Sequence, residues 1–209
     1  NTHSEVNVAG NLTATGGVGN GEGAYIWNNS LLKVDGNFVA KTTAGTRSTV
    51  RNSGSLMIGG TSLVTSSTAD GMVLSGTVNK FSGAVTVNID SAAKKTGVIL
   101  LPSNSTIEFD SDLKVTTTAD NSIGVSGRVG SMTTIAGKLD VRTDGNGSIG
   151  MDQAGSITVQ GDSTVTTKGS NAIGVNTTGS GTSTFNQLTV NTSGASAIGV
   201  NVGAGATST

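Results

Sequence analysis

The chain has 209 residues, of which 12% are charged and 3% aromatic, with 32 glycines, one proline, no cysteine and a formal net charge of −1. That balance argues against the basic face a nucleic-acid partner requires and against the polybasic run of a membrane-surface anchor. No apolar run approaches the roughly 20 residues needed to insert in a bilayer as a helix, and without cysteine there is neither a disulfide framework nor a thiolate metal site.

Apolar residues recur in two columns along the chain. The column met first reads Leu12, Phe38, Leu63, Val85, Leu113, Leu139, Ser163 and Leu188. Its local pattern is apolar-x-apolar, as in Val85-Thr86-Val87 and Leu139-Asp140-Val141, with turn residues such as Gly10-Asn11 and Gly36-Asn37 just before it. The other column reads Ile26, Val50, Val73, Ile99, Ile123, Ile149, Ile173 and Ile198. Between the columns lies a third, weaker alternating segment, seen in Leu56-Met57-Ile58, Ser105-Thr106-Ile107-Glu108-Phe109, Thr133-Thr134-Ile135 and Ser156-Ile157-Thr158-Val159.

Period-two alternation marks strands, and a fixed repeat of about 25 residues marks a solenoid. The spacing therefore predicts an all-β fold, a parallel β-helix of three-strand coils, about eight of them, in one segment spanning residues 1–209. One coil cannot bury its own apolar face; stacking at about 4.8 Å per coil does so, giving a rod of roughly 40 Å. A narrow lumen is expected to favour aliphatic side chains over rings. An antiparallel sandwich would not repeat words at near-constant spacing, a propeller needs longer blades, and a collagen helix needs glycine at every third position. Strict alternation puts Ile123, Ile149, Ile173 and Ile198 inside with Val125, Val175 and Val200. It turns Gly124, Gly150, Gly174 and Gly199 outward, as a turn or as a flat strip.

Candidate site residues follow in chain order. His3 reads as a surface residue, since a structural zinc site usually needs four ligands. The glycine-rich stretch 17–23 lacks the lysine and the helix of a phosphate loop. Tyr25 and Trp27 flank Ile26 and should both point outward, where later coils carry small residues; such a pair can stack on a sugar ring or anchor a protein partner. Packing on an adjoining loop or on a preceding coil is the plain alternative. Glu108, Asp110 and Asp112 form an acidic group of the kind glycoside hydrolysis or a calcium site would use, but with only Ala84 and neutral residues expected beside it. Lys114 and Asp140 should meet across adjacent coils as an exposed ion pair worth under about 1 kcal/mol. Ala119-Asp120-Asn121 and Asp144-Gly145-Asn146-Gly147 read as turns. Six glycosylation-type sequons, at Asn11, Asn28, Asn104, Asn146, Asn176 and Asn191, are about the chance number in so Ser/Thr-rich a chain. These residues suggest no catalytic group, metal or cofactor.

The words Ser122-Ile123-Gly124-Val125, Ser148-Ile149-Gly150-Met151, Ala172-Ile173-Gly174-Val175 and Ala197-Ile198-Gly199-Val200 recur among Ser/Thr/Asn/Gly-rich strands without cysteine. In this the chain resembles the passenger domains of autotransporter adhesins of Gram-negative bacteria, over residues 5–205. The resemblance implies a right-handed parallel β-helix, secreted through an outer-membrane barrel and displayed on the bacterial surface. It implies attachment to host cells, to other bacteria or to itself, with a surface protein or glycan as partner. It further implies that this stretch is a fragment of a longer passenger. The strand edges that a solenoid segment exposes at each end predict that the native chain continues at both ends and that the segment stacks end to end. The family shares no site motif, so it transfers no functional residue. A carbohydrate-active β-helix enzyme, a polysaccharide lyase or hydrolase, is the alternative; it would gather acidic and basic side chains over adjacent coils beside a long loop.

Overall fold

Short alternating segments separated by Gly, Asn and Asp can satisfy their backbone groups only by pairing with one another. In the computed structural model, which describes residues 4–19, 21–102 and 106–209, they pair in parallel from coil to coil. The readings of His3, of the Asn104 sequon, of Asn20 within 17–23 and of Ser105 at the start of the third-strand segment fall outside the described residues. Among the described residues there is no helix, and so none long and apolar enough to cross a membrane.

The protein is a parallel β-solenoid of about eight coils, each giving one strand to each of three ribbons. The first ribbon stacks Glu5–Val8, Leu31–Val34, Ser55–Ile58, Val78–Phe81, Ile107–Phe109 and Met132–Ile135. The second stacks Leu12–Gly16, Phe38–Thr42, Ser62–Ser66, Val85–Ile89, Leu113–Thr117 and Leu139–Thr143. The long strands Ser156–Thr167 and Thr182–Thr192 run through both ribbons and join them into one 15-stranded sheet. The third ribbon is a separate 8-stranded sheet, from Ala24–Ile26 through Ser48–Asn52, Asp70–Leu74, Thr96–Leu100, Ile123–Gly127, Ile149–Gln153 and Ile173–Thr177 to Ile198–Val202.

Side chains close the corner ahead of the second ribbon. Asn37 N–H donates to Asn11 Oδ1 at 2.8 Å, Thr61 N–H to Asn37 Oδ1 at 3.0 Å, and Lys138 N–H to Asp112 Oδ1 at 2.8 Å. A carboxamide or carboxylate at this corner thus caps a backbone donor one coil away. Ahead of the third ribbon, Asn121, Gly147, Asn171 and Ser196 hold positive φ of 54–63° in successive coils. The turns expected around Asn121 and at 144–147 are therefore present.

The column met first holds with one shift: Phe38 pairs with Ser62 and Ser62 with Val85, so Leu63 faces outward, 38% exposed. The other column needs more correction. Ala24 pairs with Val50 and Ile26 with Asn52; Val50 pairs with Met72, and Ile99 with Ser126. The rungs are thus displaced by up to three residues from those expected.

The phase of the Ile-Gly-Val word is corrected too. Ile123, Ile149, Ile173 and Ile198 do form one continuous rung. It lies on the outer side, however: the first three are half-buried, Ile198 is exposed, and none belongs to the core cluster. Val125, Met151 and Val175 are the fully buried residues. Pairing skips Gly124, Gly150 and Gly174, where alternation breaks and both the glycine and the residue after it turn inward. These glycines have no positive φ and do not form an outer strip; a Cβ at each would overlap a lumen valine, Val141, Val165 or Val190.

Rings fit the lumen better than expected. Phe38, Phe81 and Phe109 are fully buried, and the register partners Phe81 and Phe109 stack with centroids 5.0 Å apart and planes 9° off parallel. In-register stacking lets one ring cover the next, so a narrow lumen holds rings in file. Burying a side chain of this size contributes about 1.5–3 kcal/mol. Asn52 explains part of the register shift. It is fully buried; its Nδ2 donates to Asn79 Oδ1 at 2.8 Å and Val78 O at 2.9 Å, and its Oδ1 accepts Gly54 N–H at 3.0 Å. A polar residue so satisfied can occupy an inner rung that hydropathy alone assigns to Val50.

Candidate functional site

Alternation in the strand Ala24–Ile26 buries Ile26 (4% exposed) and directs Tyr25 outward. Trp27 follows as the chain leaves the strand, in a turn where Ser30 N–H donates to Trp27 O at 3.0 Å and Asn29 adopts φ 61°. Tyr25 is 41% exposed and Trp27 62%. Their rings meet edge-on, centroids 5.2 Å apart at 66°. Among the described residues they are the only exposed aromatic side chains: Phe185 is half-buried against the core and the other phenylalanines are fully buried.

Arg51 completes the group. It is the register partner of Tyr25, and its guanidinium carbon lies 5.5 Å from the centre of the Tyr25 ring. Among the described residues no carboxylate stands within ion-pair distance of it. Sequence reasoning missed Arg51 because matching Ile26 to Val50 sets Arg51 opposite Trp27 rather than opposite Tyr25. A slip of two residues keeps the alternation intact, so only the placement of buried Asn52 opposite Ile26 reveals the correct pairing. Beside the aromatic pair, Ser4, Val6, Ser30, Leu31 and Leu32 help to line a concavity of about 250 Å³.

The acidic group is rearranged. Glu108 and Asp110 do flank inward Phe109, but their neighbour is Lys80, not the neutral surface expected. Lys80 Nζ stands 2.9 Å from Glu108 Oε2 and 3.2 Å from Asp110 Oδ2. Those hydrogen bonds, Glu108's first and Asp110's second, push the Lys80 ammonium above its ordinary pKa. Asp112 is not part of this group; it caps Lys138 at the corner. Lys114 and Asp140 pair as expected, at 3.2 Å and about half exposed. Asp144 in the 144–147 turn is forked by Arg142, with Nε to Oδ1 and Nη2 to Oδ2 both 2.8 Å, and Lys168 stands 3.8 Å away. No group of three or more His, Cys, Asp or Glu side chains is placed to hold a metal ion among the described residues.

No family model matches the chain, and no curated protein or solved structure is significantly similar to it.

Proposed function

We propose that this chain is an adhesive segment of a surface-displayed β-helical passenger, of the autotransporter kind that its repeat words resemble, acting at the bacterial cell surface. The rod serves as a stiff support, and its partner is a protein or glycan on a host cell, on another bacterium or on a second copy. One observation carries the reading: on a solenoid that buries or half-buries its phenylalanines, Tyr25 and Trp27 stand exposed side by side. Exposed Tyr and Trp offer large contact area at low entropic cost and dominate binding surfaces for that reason. The test is retention of beads coated with the protein on epithelial cells and on bacterial lawns. Retention above uncoated beads is expected, falling about tenfold in Tyr25→Ala/Trp27→Ala. Equal retention of coated and uncoated beads would overturn the reading.

A carbohydrate-active enzyme is the second reading, and the Lys80–Glu108–Asp110 group, spanning two coils, is what favours it. It ranks lower because the Lys80 ammonium already engages both carboxylates, which leaves neither free to meet a glycosidic oxygen. Release of reducing ends or of unsaturated sugars from acidic polysaccharides, lost in Glu108→Gln, would promote it.

A further inference from the structure

Resting on the attachment reading, we propose that Tyr25, Trp27 and Arg51 form a subsite for a pyranose ring bearing a carboxylate, the chemistry shared by uronic and sialic acids. The indole, 62% exposed, offers a face to the C–H side of a sugar ring. The Tyr25 and Trp27 rings meet at 66° with centroids 5.2 Å apart, so they make an open corner rather than a closed stack. The guanidinium lies over the far partner of that corner, 5.5 Å from the Tyr25 ring centre. A guanidinium held against an aromatic ring keeps in-plane N–H donors for a planar, bidentate acceptor such as a carboxylate. Among the described residues Arg51 has no such acceptor in ion-pair contact, unlike Lys80 and Arg142, whose charges are already matched.

Trp27 and Arg51 stand 5.2 and 5.5 Å from the centre of the Tyr25 ring, so a ligand on the indole has the guanidinium one aromatic ring away. A neutral sugar would use the rings and leave the cation unmatched. A nucleic-acid strand would need more positive charge than a chain of net charge −1 supplies.

Trp27 is the only tryptophan in the chain, so its emission reports on this site alone. The experiment titrates the protein with tetragalacturonate and with 3′-sialyllactose, using methyl-esterified tetragalacturonate and lactose as uncharged controls. Calorimetry on Trp27→Ala replaces the optical signal that this variant lacks. A saturable change in Trp27 emission is expected with at least one acidic sugar, and the one that responds identifies the source of the carboxylate. Arg51→Gln should weaken that binding by about tenfold or more, while melting stays as in the parent and the uncharged controls are unaffected. Equal binding of acidic and uncharged sugars, or an Arg51→Gln variant that binds as the parent does, would overturn the carboxylate assignment. No response to any of the four sugars would overturn the sugar subsite. Bead retention on cells persisting in that case would leave the attachment reading standing with a protein partner, whereas loss of both would sink the two together.

Discussion

A Cβ on Gly150 would overlap Val165 Cγ1 and come within 2.6 Å of the Gly174 carbonyl oxygen. The glycine is there for space, since its φ is not in the left-handed region. Gly150→Ala should therefore destabilise by about 1–3 kcal/mol through overpacking. Gly17, with nothing within 4 Å of the equivalent Cβ, should accept alanine with a change under about 1 kcal/mol. Urea unfolding of both variants checks the contrast, and equal midpoints would show that the lumen yields at Gly150.

Ile149 and Met151 lie two residues apart, yet Ile149 is half-buried on the outer rung and Met151 is fully buried in the lumen. Met151→Asp should cost more than about 3 kcal/mol, or prevent folding, because it places an unpaired carboxylate among apolar groups. Ile149→Asp should cost about 1 kcal/mol. A melting temperature that falls further for Ile149→Asp would return the isoleucine rung to the inside.

Asn52→Leu removes the donor to Asn79 Oδ1 and strands Gly54 N–H, and should cost about 1–3 kcal/mol. In Asn52→Leu/Asn79→Leu the lost carboxamide pair is replaced on both sides, so the double variant should cost less than the sum of the singles. Thermal unfolding of the full cycle measures that coupling; strict additivity would mean that the two amides act independently.

Two aspartates should respond to acid in opposite ways. Arg142's hydrogen bonds hold the Asp144 carboxyl below its ordinary pKa, helped by the Arg142 and Lys168 charges and opposed by desolvation. A depressed folded pKa contributes stability above the ordinary aspartate value, and that contribution is lost as pH falls through the depressed one. Asp70 is raised, mainly by burial, against its hydrogen bond from Thr96 N–H and the nearby Lys95. Its ionised form is therefore a cost above the raised pKa, relieved as pH falls to the ordinary value. Asp144→Asn should lower the melting temperature at neutral pH and flatten the acid limb. Asp70→Asn should raise it at neutral pH, with the gain vanishing in acid. Melting curves across the acid range decide, and parallel pH profiles for both variants and the parent would contradict the assignment.

The sequence by itself determined the class of fold, the parallel stacking, the coil length and most of the column that begins at Leu12. These follow from alternation and repeat spacing, which act along the chain and are written into it. It also placed Tyr25 and Trp27 on the outside, because each is one residue from an inward isoleucine. Tertiary structure decided the rest. A slip of two residues preserves alternation, so no local pattern could choose between Val50 and Asn52 as the partner of Ile26; the buried hydrogen bonds of Asn52 to the next coil did, and they brought Arg51 to Tyr25. Lys80 reached Glu108 across a coil whose length departs from the mean, which fixed spacing cannot anticipate. In the Ile-Gly-Val word alternation itself fails: the lumen valines opposite leave room for hydrogen alone, so the glycine turns inward and the isoleucine is left on the outer side.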